Sequence, residues 1–486
     1  MTFTFFVQLA VLLGAIAIGA RAGGVGMGLW GGVGMAILVF GFRAAPGSIP
    51  GEVLLIILTV IMAASAMEAA GGIDYLVRIA ASIIRRHPKR VTLIAPLVSY
   101  VFTFLAGTGH IFYPLLPVIY EVAMKGRVRP ERPIAVATIA SQQAITASPV
   151  SAATAAMIAL LGGRGIGLVQ ILLICVPSTL LGVIVAALVQ NHIGVELDED
   201  PEYLRRVRAG EVEGPPVVMV TQPPLGIELD LPANDQIGAV AAEAGGASTI
   251  VKTMPKSAAA VQDQAAAASL PPRAALSAMM FLVGVVVVVC AGLFPALRSV
   301  SGPDKPITVS MPMTIAIIML ALAALMVLFA GASAGQIVKT KTCQAGITAV
   351  IGILGLAWLG DTFIDDNSTA IVGGLSAMAK AYPALFSLGL FVTSMLLYSQ
   401  AATTQTLMPL GITLGIAPAA LAGMFPAVNG YFFIPTYGTL IAAVNFDRSG
   451  TTRIGKYVLN HSFMLPGIVS TIVAITTGLI IGKLFF

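Results

Sequence analysis

Four polar interruptions, set into long apolar stretches, carry the residues best able to do chemistry in this 486-residue chain. The first is Gly107-Thr108-Gly109-His110. The second is Ala147-Ser148-Pro149-Val150-Ser151, with Ser141, Gln142, Gln143 and Thr146 just ahead of it. The third runs Ser399-Gln400-Ala401-Ala402-Thr403-Thr404-Gln405-Thr406. The fourth carries Pro426, Asn429, Gly430, Tyr431, Pro435, Thr436, Tyr437 and Thr439. Glycine and proline release backbone N–H and C=O groups from helical pairing. In hydrocarbon such groups persist only where protein buries them or a wet cavity receives them. No Lys or Arg stands in these breaks, so an anion there would be held by helix N-termini, backbone N–H groups and neutral side chains. Coordination of that kind lets a dianion leave as well as enter, and it buries no permanent cation when the site is empty. The candidate substrate-binding set is therefore Gly107, Thr108, Gly109, His110, Gln142, Ser148, Pro149, Ser151, Ser399, Gln400, Thr403, Thr404, Asn429, Tyr431, Pro435 and Thr436.

Each of these residues has a plainer reading when taken alone. Serine and threonine in membrane helices often bond only the preceding turn or a neighbouring helix. Ser148-Pro149 alone marks a kink, and His110 is more often a hydrogen-bonding partner than a proton carrier. Asn429 and Gln400 are harder to dismiss, because large amides in hydrocarbon need partners. Asp447-Arg448 with Ser449 to Arg453 reads as a cytoplasmic turn, and Lys339 and Lys341 as topology signals. The signal is the recurrence of four breaks. No paired carboxylates, metal-ligand spacing or nucleophile–base pair lies at membrane depth, so the chain reads as a non-enzyme without metal or cofactor.

The elements that must position these breaks follow from composition. The chain is 57% hydrophobic and 10% charged, with mean hydropathy +0.94. Soluble domains carry roughly 25% charged residues, which makes this an all-α polytopic membrane protein. A net charge of +5 and a pI of about 9.1 do not point to nucleic acid, because the basic residues sit in short loops beside apolar segments, the positive-inside pattern. Cys175, Cys290 and Cys343 each stand alone, which argues against a disulfide framework or a zinc site. Met1 to Ala20 lacks a basic run before it and a cleavage site after it, and reads as a first spanning helix.

Stretches long enough to span, about 17–25 residues, fall near 3–20, 24–42, 52–70, 133–161, 166–190, 273–294, 311–332, 343–360, 419–445 and 458–482. Two more, about 91–123 and 383–415, are broken in the middle and read as re-entrant hairpins. Arg85, Arg86, Lys89 and Arg90 precede the first, and Lys125, Arg127, Arg129 and Arg132 follow it, so both flanks belong in the cytoplasm. Asp361, Asp365 and Asp366 precede the second, which fits entry from outside. Counting crossings puts Arg21, Lys339, Lys341, Arg448, Arg453 and Lys456 inside and both termini in the periplasm. Gly71 to Ile84 reads as an interfacial amphipathic helix, with Gly360 to Tyr382 in the equivalent place of the second half. The pattern is two inverted-topology repeats, 1–190 and 273–486. Each has a re-entrant hairpin and a broken helix, the latter at 133–161 and 419–445. Between them, 191–272 is rich in Pro, Ala and Gly and reads as a flexible cytoplasmic linker.

Several of these motifs resemble the anaerobic C4-dicarboxylate transporters, the Dcu family. The resemblance rests on Gly107-Thr108-Gly109-His110, Arg129-Pro130-Glu131-Arg132-Pro133 and Ala147 to Ser151 in the first half. In the second half it rests on Tyr398-Ser399-Gln400-Ala401-Ala402, Pro435-Thr436-Tyr437 and Phe446 to Thr452. It runs through nearly all of both membrane halves and stops at the linker. It implies an exchanger of fumarate, malate and aspartate against succinate in the bacterial inner (plasma) membrane, working as a homodimer in membrane lipid by an elevator mechanism. The alternative is a dicarboxylate symporter coupled to Na⁺ or H⁺. Pro435 to Leu440 is closer to the A type of the family, which exchanges aspartate, fumarate and succinate. Gly109-His110, Arg129 to Pro133 and Phe446 to Thr452 are closer to the B type. The sum leans slightly to the A type.

Overall fold

A computed structural model describes residues 3–22, 25–47, 49, 51–212, 271–301, 306–367, 382–397, 399–434, 437–455 and 460–486. Residues 213–270 and 368–381, with Pro435, Thr436 and Lys456, lie outside the described residues, as does the side chain of His110. The first half comprises α1 (Phe3–Ala22), α2 (Gly26–Ala36, continued as a π-turn to Gly41), α3 (Gly51–Ala69), α4 (Gly72–Arg85), α5 (Val91–Ala106), α6 (Leu116–Lys125), α7 (Glu131–Ala147), α8 (Ala152–Leu161) and α9 (Leu168–Gln190). A short α10 (Pro201–Arg208) follows. The second half comprises α11 (Ala274–Leu293), α12 (Met311–Phe329), α13 (Ala334–Ile337), α14 (Lys341–Asp366), α15 (Pro383–Leu397), α16 (Gln400–Thr413), α17 (Pro418–Met424), α18 (Gly438–Phe446) and α19 (Met464–Phe485).

Among the described residues seven helical stretches are long and apolar enough to cross a membrane. They become eight if α3 and α4, bent by 73°, count as one. The expected spans 3–20 and 24–42 fall short of that length in their apolar parts. The expected 419–445 stretch ends as an α-helix at Met424, passes through a 3₁₀ turn (Phe425–Phe432), and resumes at Gly438. Gly360 to Asp366, expected to start an interfacial element, instead completes α14. Two features among the described residues depart from an all-α fold: Ser299–Val300 pairs antiparallel with Ile307–Thr308, and Ile454 forms an antiparallel bridge with His461.

The chain breaks where local chemistry requires it. Gly107 ends α5 at φ +69°, in the left-handed region that favours glycine. Ser148 ends α7 in extended conformation, φ −75° and ψ 131°, because proline at 149 disfavours a helical residue before it. Ser151 then restarts the helix by accepting the Thr154 N–H on its side chain at 3.1 Å. Ser399 does the same for α16 by accepting from Ala402 N–H at 3.2 Å. Both are N-caps, which satisfy one of the orphan donors at a helix start.

The first broken stretch returns to where it left: a Cβ on Gly126 would come within 2.6 Å of the Pro88 carbonyl, and Arg85 pairs with Glu121 at 3.1 Å. In the second, Gly411 lies against Phe386.

Packing divides the helices into two layers. In one, α14 lies against α2 and α3, α12 against α3, and α11 against α4 and α12. In the other, α9 lies along α19, α5 along α7, and α17 against α19. The layers meet where α14 touches α16, where α3 touches α8, and where α4 touches α5 and α6. Without a hydrophobic force between helices in lipid, close approach of small residues supplies the packing. Gly28 and Gly31 of α2 meet the backbone of α14 at Ile351 and Gly355, and Gly423 of α17 meets that of Gly478 in α19.

The segment expected to be flexible from residue 191 begins with order. Leu197–Glu199 forms a 3₁₀ turn and α10 follows, capped by the Asp200 carboxylate at the Glu202 and Tyr203 N–H groups, both 3.0 Å. Leu197 and Tyr203 are fully buried, and their burial, with the Arg129–Asp200 pair at 2.6 Å, keeps this part in place.

Candidate functional site: an uncharged cavity between two helix N-termini

A cavity of about 430 Å³ lies where the two layers meet, within the range of small-molecule sites. Its lining brings together Gly107, Thr108, Gly109 and Gln142 from the first half with Ser399, Gln400 and Tyr431 from the second. Among the described residues no charged side chain lines it.

Two helix starts face this space. Val150, Ala152 and Ala153 line it at the start of α8, and Ser399 to Ala402 line it at the start of α16. The caps Ser151 and Ser399 satisfy Thr154 and Ala402. The N–H groups of Ala152, Ala153, Gln400 and Ala401 have no intrahelical acceptor, as at any helix start. Each start carries the equivalent of roughly half a positive charge. Each contributes about 0.3–1 kcal/mol to a nearby anion at an exposed position and up to about 2 kcal/mol where partly buried. Two such ends match the two carboxylates of a dianion, and both interactions are modest enough to reverse.

Side-chain donors complete the lining. Gln142 is 3% exposed and its Nε2 has no hydrogen-bond partner. It sits beside Gly109, where a Cβ would come within 2.9 Å of it and would push the amide from its place. Gly107 is more strictly confined, at positive φ and with its Cβ position 2.8 Å from the Val150 carbonyl. Tip and break of the first half are thus in direct contact. On the other side the rings of Tyr431 and Tyr437 lie 4.6 Å apart and tilted by 44°, and the Tyr113 hydroxyl lies against Gly438.

The remaining sequence candidates stand behind the cavity and serve the framework. Thr403 and Thr404 bond the carbonyls of Ser399 and Gln400, one turn back, at 2.8 Å. Ser151 is occupied as a cap. Ser148 accepts from the Val150 N–H at 3.3 Å, next to Pro149. Asn429, 2% exposed, belongs to a buried amide chain that crosses between the halves. In it Gln400 Nε2 donates to the Gln142 carbonyl at 3.0 Å and to Asn429 Oδ1. Asn429 Nδ2 then donates to Gln143 Oε1 at 2.9 Å, and Gln143 Nε2 to Thr471 Oγ1 at 3.1 Å. Pro435, Thr436 and the side chain of His110 lie outside what is described.

Two parts of the site are missed by reasoning from sequence. One is the wall from the other layer: Ile57, Val60, Ile61 and Ala64 of α3, and Thr342, Gly346, Thr348 and Gly352 of α14. Apolar residues on an unbroken span carry no mark, and the small residues of α14 are the one available hint. The other lies outside the cavity, a junction at the N-terminal end of α7. Asp447, 2% exposed, accepts from Thr452 N–H at 2.6 Å, Ser449 N–H at 2.9 Å and the Thr451 hydroxyl at 2.9 Å. Thr451 Oγ1 in turn accepts from Glu131 N–H at 3.0 Å, and the Ser462 hydroxyl donates to Glu131 Oε1 at 2.6 Å. Arg129 bonds Glu131 and Asp200, both at 2.6 Å. The turn read as a plain cytoplasmic loop therefore locks the two halves together.

A family model described as an anaerobic C4-dicarboxylate membrane transporter matches residues 4–486. The chain is 38% identical over 477 residues to the C4-dicarboxylate transporter DcuA of Wolinella succinogenes, covering 98% of this chain and 99% of that protein. It is 36% identical over 488 residues to DcuA of Helicobacter pylori, covering 99% of each. It is 34% identical over 487 residues to the anaerobic C4-dicarboxylate transporter DcuB of Shigella flexneri, again covering 99% of each. A solved structure, the Alcanivorax borkumensis YdaH transporter, aligns with a TM-score of 0.47 at 14% identity, covering 92% of this chain and 86% of that one.

Proposed function

The chain belongs to the anaerobic C4-dicarboxylate membrane transporter family, and from that premise we propose that it exchanges fumarate, malate or aspartate for succinate across the bacterial inner membrane. The observation that carries this reading is the cavity itself: two helix N-termini from opposite halves face one uncharged space. A four-carbon dianion places one carboxylate at the start of α8, beside Gln142, and the other at the start of α16. The absence of Lys and Arg from the described lining keeps the site from holding the anion too tightly for turnover.

The same order of elements in each half supports a pair of inverted repeats: three helices, a returning hairpin (α5–α6, α15–α16), a broken helix (α7–α8, α17–α18) and a last helix (α9, α19). The two packing layers support an elevator in which the layer holding α8 and α16 carries the substrate past α3 and α14. In this reading the basic face is cytoplasmic, the termini are periplasmic, and the working unit is a homodimer.

Counterflow in proteoliposomes tests the proposal. Vesicles loaded with unlabelled succinate should accumulate labelled fumarate or aspartate with no need for a sodium gradient. Accumulation into empty vesicles that follows Na⁺ or H⁺ would replace exchange with symport. No saturable uptake of any four-carbon dicarboxylate would remove the proposal altogether.

A further inference from the structure

Resting on the reading of the cavity as the dicarboxylate site, we propose that Thr342 of α14 is a further substrate-binding residue, one that touches the dicarboxylate only while the site is open to the face carrying Lys339 and Lys341. Thr342 lines the cavity from the layer that does not contain α8 and α16. It is 5% exposed, and its Oγ1 has no hydrogen-bond partner.

The neighbouring groups of this helix start are already bonded. The Glu68 carboxylate accepts from the Lys341 and Thr342 N–H groups at 3.2 and 3.0 Å. Thr340 accepts from Cys343 N–H at 3.2 Å and donates to the Ile337 carbonyl at 2.7 Å. Thr348, the other α14 threonine on the lining, donates to the Gln344 carbonyl at 2.9 Å. A buried hydroxyl left alone costs free energy, and a carboxylate oxygen in the cavity is the group that would satisfy it.

The position of the wall makes the contact one-sided. From α14 the lining takes residues 342–352, the half of the helix that starts at Lys341, and from α3 residues 57–64, ahead of Glu68. The cavity therefore reaches from mid-helix toward the end where Lys339 and Lys341 stand. Glu68 neutralises the positive end of α14 at that mouth, so an anion leaving on this side meets no helix N-terminus that would retain it. When the α8 and α16 starts turn toward the opposite face, Thr342 stays behind with its own layer.

The test is the half-saturating concentration of labelled succinate measured separately at each face, in proteoliposomes of defined orientation holding saturating dicarboxylate on the other side. Thr342→Val removes the hydroxyl at nearly constant volume, and Thr342→Ser keeps it. Thr342→Val should raise the value about tenfold at the Lys339/Lys341 face, the size of one lost hydrogen bond to a charged group. It should change the value at the opposite face by less than about twofold, which also shows that the variant is folded, and Thr342→Ser should match wild type at both. Equal effects at the two faces, or none at either, would overturn the inference while leaving wild-type exchange intact. A wild-type protein without dicarboxylate counterflow would overturn the premise as well.

Discussion

Replacing Gln143 with leucine probes the buried amide chain that joins the two halves behind the cavity. Gln143 and Asn429 are 0% and 2% exposed, and their bond is 2.9 Å long. Leucine at 143 strands the Asn429 Nδ2 donor and removes the donor to Thr471 Oγ1. An orphaned buried donor costs about 1–3 kcal/mol. Hydrogen bonds between helices in bilayers measure lower, about 0.6 kcal/mol on average and about 1.7 at most, because the unfolded chain in the membrane also finds partners. The lower scale applies here, so Gln143→Leu should cost about 1–2 kcal/mol. Asn429→Leu should cost a similar amount, because Gln400 keeps its 3.0 Å bond to the Gln142 carbonyl. Replacing both members of a buried pair by apolar groups is nearly neutral relative to replacing one. The double variant should therefore lose little more than either single variant, a coupling of about 1 kcal/mol. Reversible unfolding in detergent gives the three stabilities, and counterflow shows whether the loss reaches the site. Additive losses would refute the chain as a coupled unit.

Three further outcomes follow from the geometry. Gly355→Ala should destabilise the protein far more than Gly352→Ala, since a Cβ at 355 runs into the Gly28 backbone while one at 352 meets nothing within 4 Å; equal melting temperatures would contradict the packing of α2 on α14. Asp200→Asn leaves the α10 cap in place but takes a charge from the buried Arg129, which keeps Glu131, so the loss should fall at the low end of that for breaking a buried pair, about 3 kcal/mol. Tryptic cleavage at Arg205 and Arg206 should speed up accordingly, and unchanged cleavage would count against the docking of this segment. Burial holds the His461 pKa below its ordinary value of 6.5, against a smaller upward effect of its bond to the Phe433 carbonyl. In its neutral form Nε2 donates to Phe433 at 3.2 Å and Nδ1 accepts from Phe463 N–H at 3.2 Å. The folded state thus disfavours the proton, and this contribution to stability is present above pH about 6.5 and lost as pH falls below it. Melting temperatures between pH 7.5 and 5.5 should fall for wild type and fall less for His461→Gln; parallel profiles would exclude the role.

The sequence by itself determined the membrane class, the four breaks and the absence of charge from them, because these depend on residue type and near neighbours alone. Gly107 takes a left-handed backbone, Pro149 disfavours a helical Ser148, and Ser151 and Ser399 restart helices wherever the chain lies. It also carried enough of the transporter family's motifs to be recognised. Which polar residues face the cavity was decided only by the tertiary structure. Thr403 and Thr404 turn to their own backbone, Asn429 to Gln143 and Asp447 to its own loop, while Thr342, on an ordinary-looking span, reaches the lining. The amide chain pairs residues 286 positions apart, and the Glu68 cap acts across 274. Contacts at such separations leave no local period or composition to read. They exist only once apolar packing and close glycine crossings have set the helices side by side.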